Sequence, residues 1–188
     1  MNWMRAYIRF VDAVNYRIGR VMMYGIVVMI GILLWSSISK TFFLPSLWTL
    51  EIAQFALVAY YIMGGPCSIQ MGSNVRMDLF YHEWSDMRKA QVDAITVLLL
   101  IFYLGILLYG CMNSLAYSLG HYQGDSFGFF AGLLTGSEEI GRLERSPTAW
   151  RPYLWPVKTI MLAGFTLMLL QAISELFKDI IKLRSGSI

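Results

Sequence analysis

Two cysteines, Cys67 and Cys111, and two histidines, His82 and His121, are all the thiol and imidazole groups in a chain of 188 residues. Their spacing limits what they can do. Cys67 lies near the inner end of one hydrophobic run and Cys111 near the outer end of the next. Alternating membrane crossings hold them far beyond the roughly 7 Å Cα separation that a disulfide tolerates. That argues against a four-span thiol oxidase. His82 and His121 fall in connections on opposite sides, whereas two axial ligands of one haem must face each other within a bundle. A haem-bearing quinone-reducing anchor is disfavoured for the same reason. The sequence holds no phosphate-cradling glycine loop with lysine, no HExxH, and no Ser, His and acid set able to meet in one plane of a membrane. No catalytic residue, metal ligand or cofactor is assigned, and the chain is not read as an enzyme.

Charged side chains are the remaining chemistry. Seven of the 27 fall in "GSNVRMDLFYHEWSDMRKAQVD", residues 72 to 93, an island between two apolar runs. Within it, Arg76 and Asp78 are expected to fix the turn out of the preceding span by bonding backbone or partner groups, where partial dehydration strengthens charged hydrogen bonds. Elsewhere charges stand at span ends, with Glu51 and Lys158 at the outer interface and Asp93 and Glu175 at the inner one. Two readings fit Glu51 and Lys158: snorkelling anchors, or an ion pair tying the second span to the fourth. Mid-span acids, lysines and arginines, which ion-moving proteins place at midplane, are missing. The chain is therefore not expected to transport alone.

These residues must be positioned by membrane helices. The composition is 57% hydrophobic, 14% charged and 15% aromatic, too apolar for an ordinary soluble domain of this length. Crossing about 30 Å of hydrocarbon takes roughly 20 apolar residues. No Asp, Glu, Lys or Arg occurs between Arg20 and Lys40, between Glu51 and Arg76, or between Asp93 and Asp125. A fourth run, Lys158 to Glu175, encloses 16 uncharged residues, so its flanking charges must snorkel. The expected fold is an all-α integral membrane domain over residues 1–188, with spans at about 20–44, 48–71, 89–112 and 155–177. The first run is read as an uncleaved span, because "SISKTFFLPSLW" is bulky where a peptidase requires small residues.

Lys and Arg near the span ends set the orientation. Ten (Arg5, Arg9, Arg17, Arg20, Arg76, Arg88, Lys89, Lys178, Lys182, Arg184) fall on one side and five (Lys40, Arg142, Arg145, Arg151, Lys158) on the other. Both termini and the island are thus assigned to the cytoplasm. The net charge of +3 suits contact with anionic membrane lipid rather than nucleic acid.

Before the first span, Trp3, Tyr7, Phe10, Val14 and Ile18 recur at helical spacing, with Arg5, Arg9 and Asp12 opposite. That pattern fits an amphipathic helix on the inner surface or a short extension of span one. "GGPC" at 64–67 should kink span two at Pro66, as a hinge or as a packing accommodation. The island itself, with Met77, Phe80, Tyr81, Trp84 and Met87 on one face, reads as an inner interfacial connection. The longest connection, 113–153, is outer. Its apolar "SFGFFAGLLTG" is read as interfacial or partner-bound, or else as a surface loop.

"SLWTLEIA" opening span two, "MGSNVRMDLF" closing it, "SDMRKAQVDAI" entering span three, and "ERSPTAWRPYLWPVKTI" and "LLQAISE" framing span four together resemble the small membrane subunit of tripartite ATP-independent periplasmic (TRAP) transporters. The Gly72, Val75, Arg76 and Asp78 cluster is the most specific piece. Asn74 stands where many members carry histidine, and the outer loop is longer than in compact members. The resemblance implies a bacterial inner-membrane subunit paired with a larger one. In such systems the large subunit holds the substrate and sodium sites, and a soluble periplasmic substrate-binding protein delivers the solute, often an organic acid. The small subunit is then a scaffold and a docking surface. A membrane-anchor subunit of a respiratory or other membrane enzyme is the alternative, and it would carry a chromophore. A free-standing, lipid-organising four-span protein would have no obligate membrane partner.

Overall fold

A computed structural model of the chain describes residues 2–72, 86–122 and 124–185. The island's Arg76, Asp78 and His82, with the expected inner connection, lie outside the described residues. Among the described residues six helices follow in order: α1 (Asn2–Met23), α2 (Gly25–Phe42), α3 (Thr49–Gln70), α4 (Asp86–Ser118), α5 (Ser126–Thr135) and α6 (Trp155–Ser185). No β-strand occurs among the described residues, only an isolated antiparallel bridge between Arg145 and Tyr153.

Among the described residues four helical stretches are long and apolar enough to cross a membrane: Asn2–Phe42, Thr49–Gln70, Gln91–Ser118 and Trp155–Ile181. The first covers 41 residues, about 60 Å of helix and twice the hydrocarbon thickness. It therefore cannot lie wholly within hydrocarbon. The helix is interrupted at Tyr24, between α1 and α2, and α2 with its 18 residues supplies about 27 Å by itself. α4 and α6, of 33 and 31 residues, are longer than the charge gaps that announced them. Charges mark where hydrocarbon ends, and backbone hydrogen bonding continues past that point.

The distribution of side chains is that of a protein dissolved in lipid. Asn15, Thr49, Gln171 and Ser174 are almost fully buried, while Val27, Leu34, Leu99 and Phe102 are exposed. In water such an apolar surface would drive aggregation. Against acyl chains it costs nothing, and the polar groups are the ones that must turn inward.

Close approaches at glycine hold the bundle together. A Cβ at Gly164 on α6 would sit 2.3 Å from Ile62 Cγ2 on α3, and one at Gly65 would sit 2.9 Å from Met168 Sδ. α1 meets α3 in the same manner, Gly19 against Cys67. Such contacts replace the hydrophobic effect, which vanishes between helices in lipid, with dispersion at short range. Gly25 also packs inside the bundle, against Tyr60, whereas Gly31, Gly105 and Gly110 face open space. α3 passes through Pro66, which is buried, without losing helical assignment as far as Gln70.

α1 binds the bundle through a stripe beside its Trp3, Tyr7, Phe10, Val14 and Ile18 face, which leaves much of that apolar face outward. Val11 and Asn15 are buried, whereas Trp3 and Phe10 are each 70% exposed. The inward stripe is thus turned by roughly a quarter of the helix circumference from the Trp3, Phe10, Val14 face. Trp3 and Tyr7 still reach Phe177 on α6, with ring centroids 5.9 Å and 5.4 Å away. Because α1 touches the last turns of α6 and, through the Gln70 Nε2 bond to Asp12 O at 3.3 Å, the end of α3, these three elements share one end of the bundle.

The opposite end holds the long connection. Asp125 caps α5, its Oδ1 accepting from Gly128 N at 3.1 Å, and Gly136 at φ 76° ends it. α5 is thus an ordered apolar helix rather than an irregular loop, with Phe129 buried and stacked on His121 at 4.6 Å. The chain then returns past the end of α4: Gly141 N donates to Leu119 O at 2.9 Å and Glu144 N to Ser118 O at 3.0 Å. Gly120 is what lets the two backbones touch, because at its φ of 91° a Cβ would lie 2.6 Å from Arg142 N. Gly120→Ala combines left-handed strain with a backbone collision. It is expected to cost about 2–4 kcal/mol, read as a lower unfolding temperature and faster proteolysis within 136–150.

Candidate functional site: two polar junctions

The larger junction lies where α1, α3 and α6 meet. Asp12 is its centre. Its Oδ1 accepts from Gln171 Nε2 at 3.0 Å and from Ser174 Oγ at 3.1 Å, and its Oδ2 pairs with Lys178 Nζ at 2.8 Å. Gln171 also accepts from Asn15 Nδ2 at 2.7 Å and donates to Glu175 Oε1 at 3.0 Å. Lys178 closes the ring with Glu175 at 2.7 Å. Gln171, Ser174, Glu175 and Lys178 recur at the three- and four-residue spacing that puts side chains on one helical face. α6 therefore presents them together to α1. With no water in hydrocarbon to satisfy them, such groups must bond to one another.

Asp12 is thus no member of an outward polar face, as the periodicity suggested. A charge in an amphipathic repeat is assigned outward by default, and here a tertiary partner, Lys178, turns it in. Neither Asp12 nor Asn15 was singled out by the sequence as a site. Gln171 and Ser174 were visible only as part of the motif "LLQAISE", and Glu175 besides as an inner-interface charge. The available signal was the presence of Gln and Ser inside an apolar span, since such residues point at other helices.

The second junction, at the other end, holds Lys158. Its Nζ pairs with Glu144 at 2.6 Å, donates to Ser114 O at 3.1 Å and lies 5.7 Å from the Tyr117 ring centroid. It joins α6, the return of the long connection and the end of α4. Of the two readings of Glu51 and Lys158, the ion pair between them is not formed, since Lys158 pairs with Glu144. Its absence has a local cause: the backbone bond from Glu144 to Ser118 delivers a carboxylate directly to Lys158, in a segment whose path the span pattern does not specify.

Glu51 is instead 5% exposed in the first turn of α3, with Oε2 bonded to no group among the described residues. The N-terminal dipole of α3 favours its negative charge. Beside it the α2–α3 turn is closed by hydroxyls. Thr49 Oγ1 donates to Ser36 Oγ at 3.1 Å and shares a hydrogen bond with Ser46 Oγ at 2.8 Å, and Ser39 Oγ donates to Leu44 O at 2.9 Å.

Cys67 and Cys111 are both free thiols. Among the described residues no three His, Cys, Asp or Glu side chains come together as metal ligands. What the two junctions do is mechanical: each ties a connecting or surface element to α6 through charge and hydrogen bonds, one at each end of the bundle.

Comparison with known proteins agrees with this architecture. The chain matches no curated relative and no solved structure. The family described as tripartite ATP-independent periplasmic transporters, DctQ component, matches over residues 29–182, which takes in the residues of α2 beyond Val28, all of α3, α4 and α5, and α6 as far as Lys182. The match includes Glu51, Lys158, Gln171 and Lys178 and leaves out all of α1. With more than half of its length matched, the chain belongs to the DctQ family, the small membrane component of TRAP transporters.

Proposed function

We propose that this chain is the stationary scaffold of a sodium-coupled TRAP importer for an organic acid. In this reading it holds the large membrane subunit, offers its α5 end to the periplasmic substrate-binding protein, and takes no part in binding solute or ion. The observation that supports it best is where its charges fall. No Asp, Glu, Lys or Arg lies between Arg20 and Lys40, Glu51 and Arg76, Asp93 and Asp125, or Lys158 and Glu175, and the charged groups described at the two junctions already bond within the chain. Meanwhile α4 shows an outward apolar face of Leu99, Phe102 and Ile106 with Gly105 open beside them, which suits close packing of a larger partner. Arg76 and Asp78 are proposed, from the sequence, as further partner contacts at the inner interface.

Co-expression tests the assignment. A tagged copy of this chain is expected to retain the large subunit through detergent extraction and two chromatographic steps. Arg76→Ala and Asp78→Ala are expected to lower that recovery. Recovery of the tagged chain alone from cells making both subunits would sink the scaffold role.

The cytoplasmic placement of both termini rests on the ten-to-five division of basic residues. In intact cells, Ser137→Cys should react with a membrane-impermeant maleimide and Ser187→Cys should not. The reverse pattern would invert the topology, and with it the face offered to the binding protein.

A further inference from the structure

A groove of about 620 Å³ opens between the last turns of α1 and the second half of α3. Tyr16, Arg20 and Met23 line one wall, and Tyr61, Gly64 and Met71 the other. The walls are apolar and outward-facing, with Tyr61 68% and Met71 65% exposed. From Tyr60 to Met71 the α3 wall rises about 16 Å, close to one leaflet's share of a hydrocarbon core roughly 30 Å thick. Gly64 gives the groove its depth, because nothing lies within 4 Å of where its Cβ would stand.

The groove has one cation in its lining, Arg20, on a helix of basic character. α1 carries Arg5, Arg9, Arg17 and Arg20 against a single acid, and that acid, Asp12, is turned inward onto Lys178. The arginine charge therefore has no counter-ion on its own helix. Arg20 is held at the rim by Tyr16: Nη2 donates to Tyr16 Oη at 2.6 Å and the guanidinium lies 4.8 Å from the ring centroid. A guanidinium has five N–H donors, so this contact leaves others for a phosphate.

We infer that this groove is a binding site for an anionic phospholipid, with its phosphate on Arg20 and one acyl chain lying along α3 between Met23 and Gly64. An apolar trough one leaflet deep with a cationic mouth matches a headgroup and chain in a single molecule. A transmembrane helix of a partner would fill the trough but leave the arginine charge unmatched.

Native mass spectrometry of the full chain, delipidated in detergent and titrated with phosphatidylglycerol or phosphatidylcholine, tests this. The wild type is expected to retain one phosphatidylglycerol in preference to phosphatidylcholine. Gly64→Leu puts a side chain into the trough from a position where a Cβ meets nothing within 4 Å, and Arg20→Gln removes the charge from an exposed position. Each should cut phosphatidylglycerol retention fivefold or more, while Arg20→Lys keeps most of it. Gly31→Leu, on an open face outside the groove, should leave retention unchanged, and unfolding temperatures should confirm that all variants fold. Equal retention of both lipids by the wild type, or wild-type retention by Gly64→Leu, overturns the proposal. Loss of large-subunit copurification by Gly64→Leu with unaltered lipid binding assigns the groove to protein and overturns it equally.

Discussion

Proteoliposomes holding only this subunit are expected to show no sodium-driven solute uptake above protein-free vesicles, whereas small and large subunits together, supplied with the binding protein, give saturable uptake. The expectation follows from what a coupled site needs. A sodium ion or carboxylate leaving water must be met by charged or well-aligned polar groups, at a cost of several kcal/mol for each unmet group. The charged groups of the two junctions sit at the bundle ends and are already bonded. Asp12 is held by Lys178, Gln171 and Ser174, and Lys158 by Glu144 and Ser114. Freeing one for transport would dismantle the junction it holds. The measurement is radiolabelled organic-acid uptake under an imposed sodium gradient. Saturable uptake by this chain alone would require a transport site within its four helices.

Asp12→Ala should be the most damaging single change in the described residues that leaves the backbone path intact. It removes the acceptor shared by Gln171 and Ser174 and leaves Lys178 with one carboxylate, Glu175. Breaking one partner of a buried pair costs about 3–5 kcal/mol. Since the Asp12 and Lys178 side chains keep 22% and 25% exposure, a loss of about 2–3 kcal/mol is expected. For a chain of this size that lowers the unfolding temperature by about 5–10 °C. Lys178→Ala should be less harmful, because Asp12 keeps two neutral donors. A double-mutant cycle between them is expected to return a coupling energy of about 1 kcal/mol or more. Additive effects would show that the junction is not cooperative.

The contrast between Asp12 and Lys40 shows what is legible in the sequence. Charge-free intervals located the crossings well, since hydrocarbon excludes charge whatever the tertiary structure. α2 and α3 begin and end within a few residues of the intervals bounded by Arg20, Lys40, Glu51 and Arg76. Interior pairing was not legible. Asp12 and Lys178 are separated by most of the chain, and nothing local distinguishes an inward acid from an outward one. The choice between anchoring and a Glu51–Lys158 pair was illegible in the same way, because Glu144 reaches Lys158 on a connection without periodicity. Gly25 and Gly164 make internal contacts while Gly31, Gly105 and Gly110 do not, and no feature of sequence spacing separates the two groups. Arg76 and Asp78 lie outside the described residues, so their expected role in the turn rests on the sequence and the family resemblance.

Tyr24, the one residue between α1 and α2, also has a consequence for biosynthesis. α1 is made first, but its seat is on α6: Asn15 finds Gln171 across 156 residues of chain. At roughly 5–20 residues per second, that partner emerges about 10–30 s later. For that interval α1 has no Gln171, Ser174 or Lys178 to receive Asp12 and Asn15, and the Tyr24 joint allows it to wait apart from the inserting α2. A nascent chain arrested before residue 171 should accordingly display α1 in a protease-sensitive state, and release past Lys178 should protect it in a single step. The amino-terminal helix would then be the last part of the subunit to reach its place, and its docking a record that the final crossing has been made.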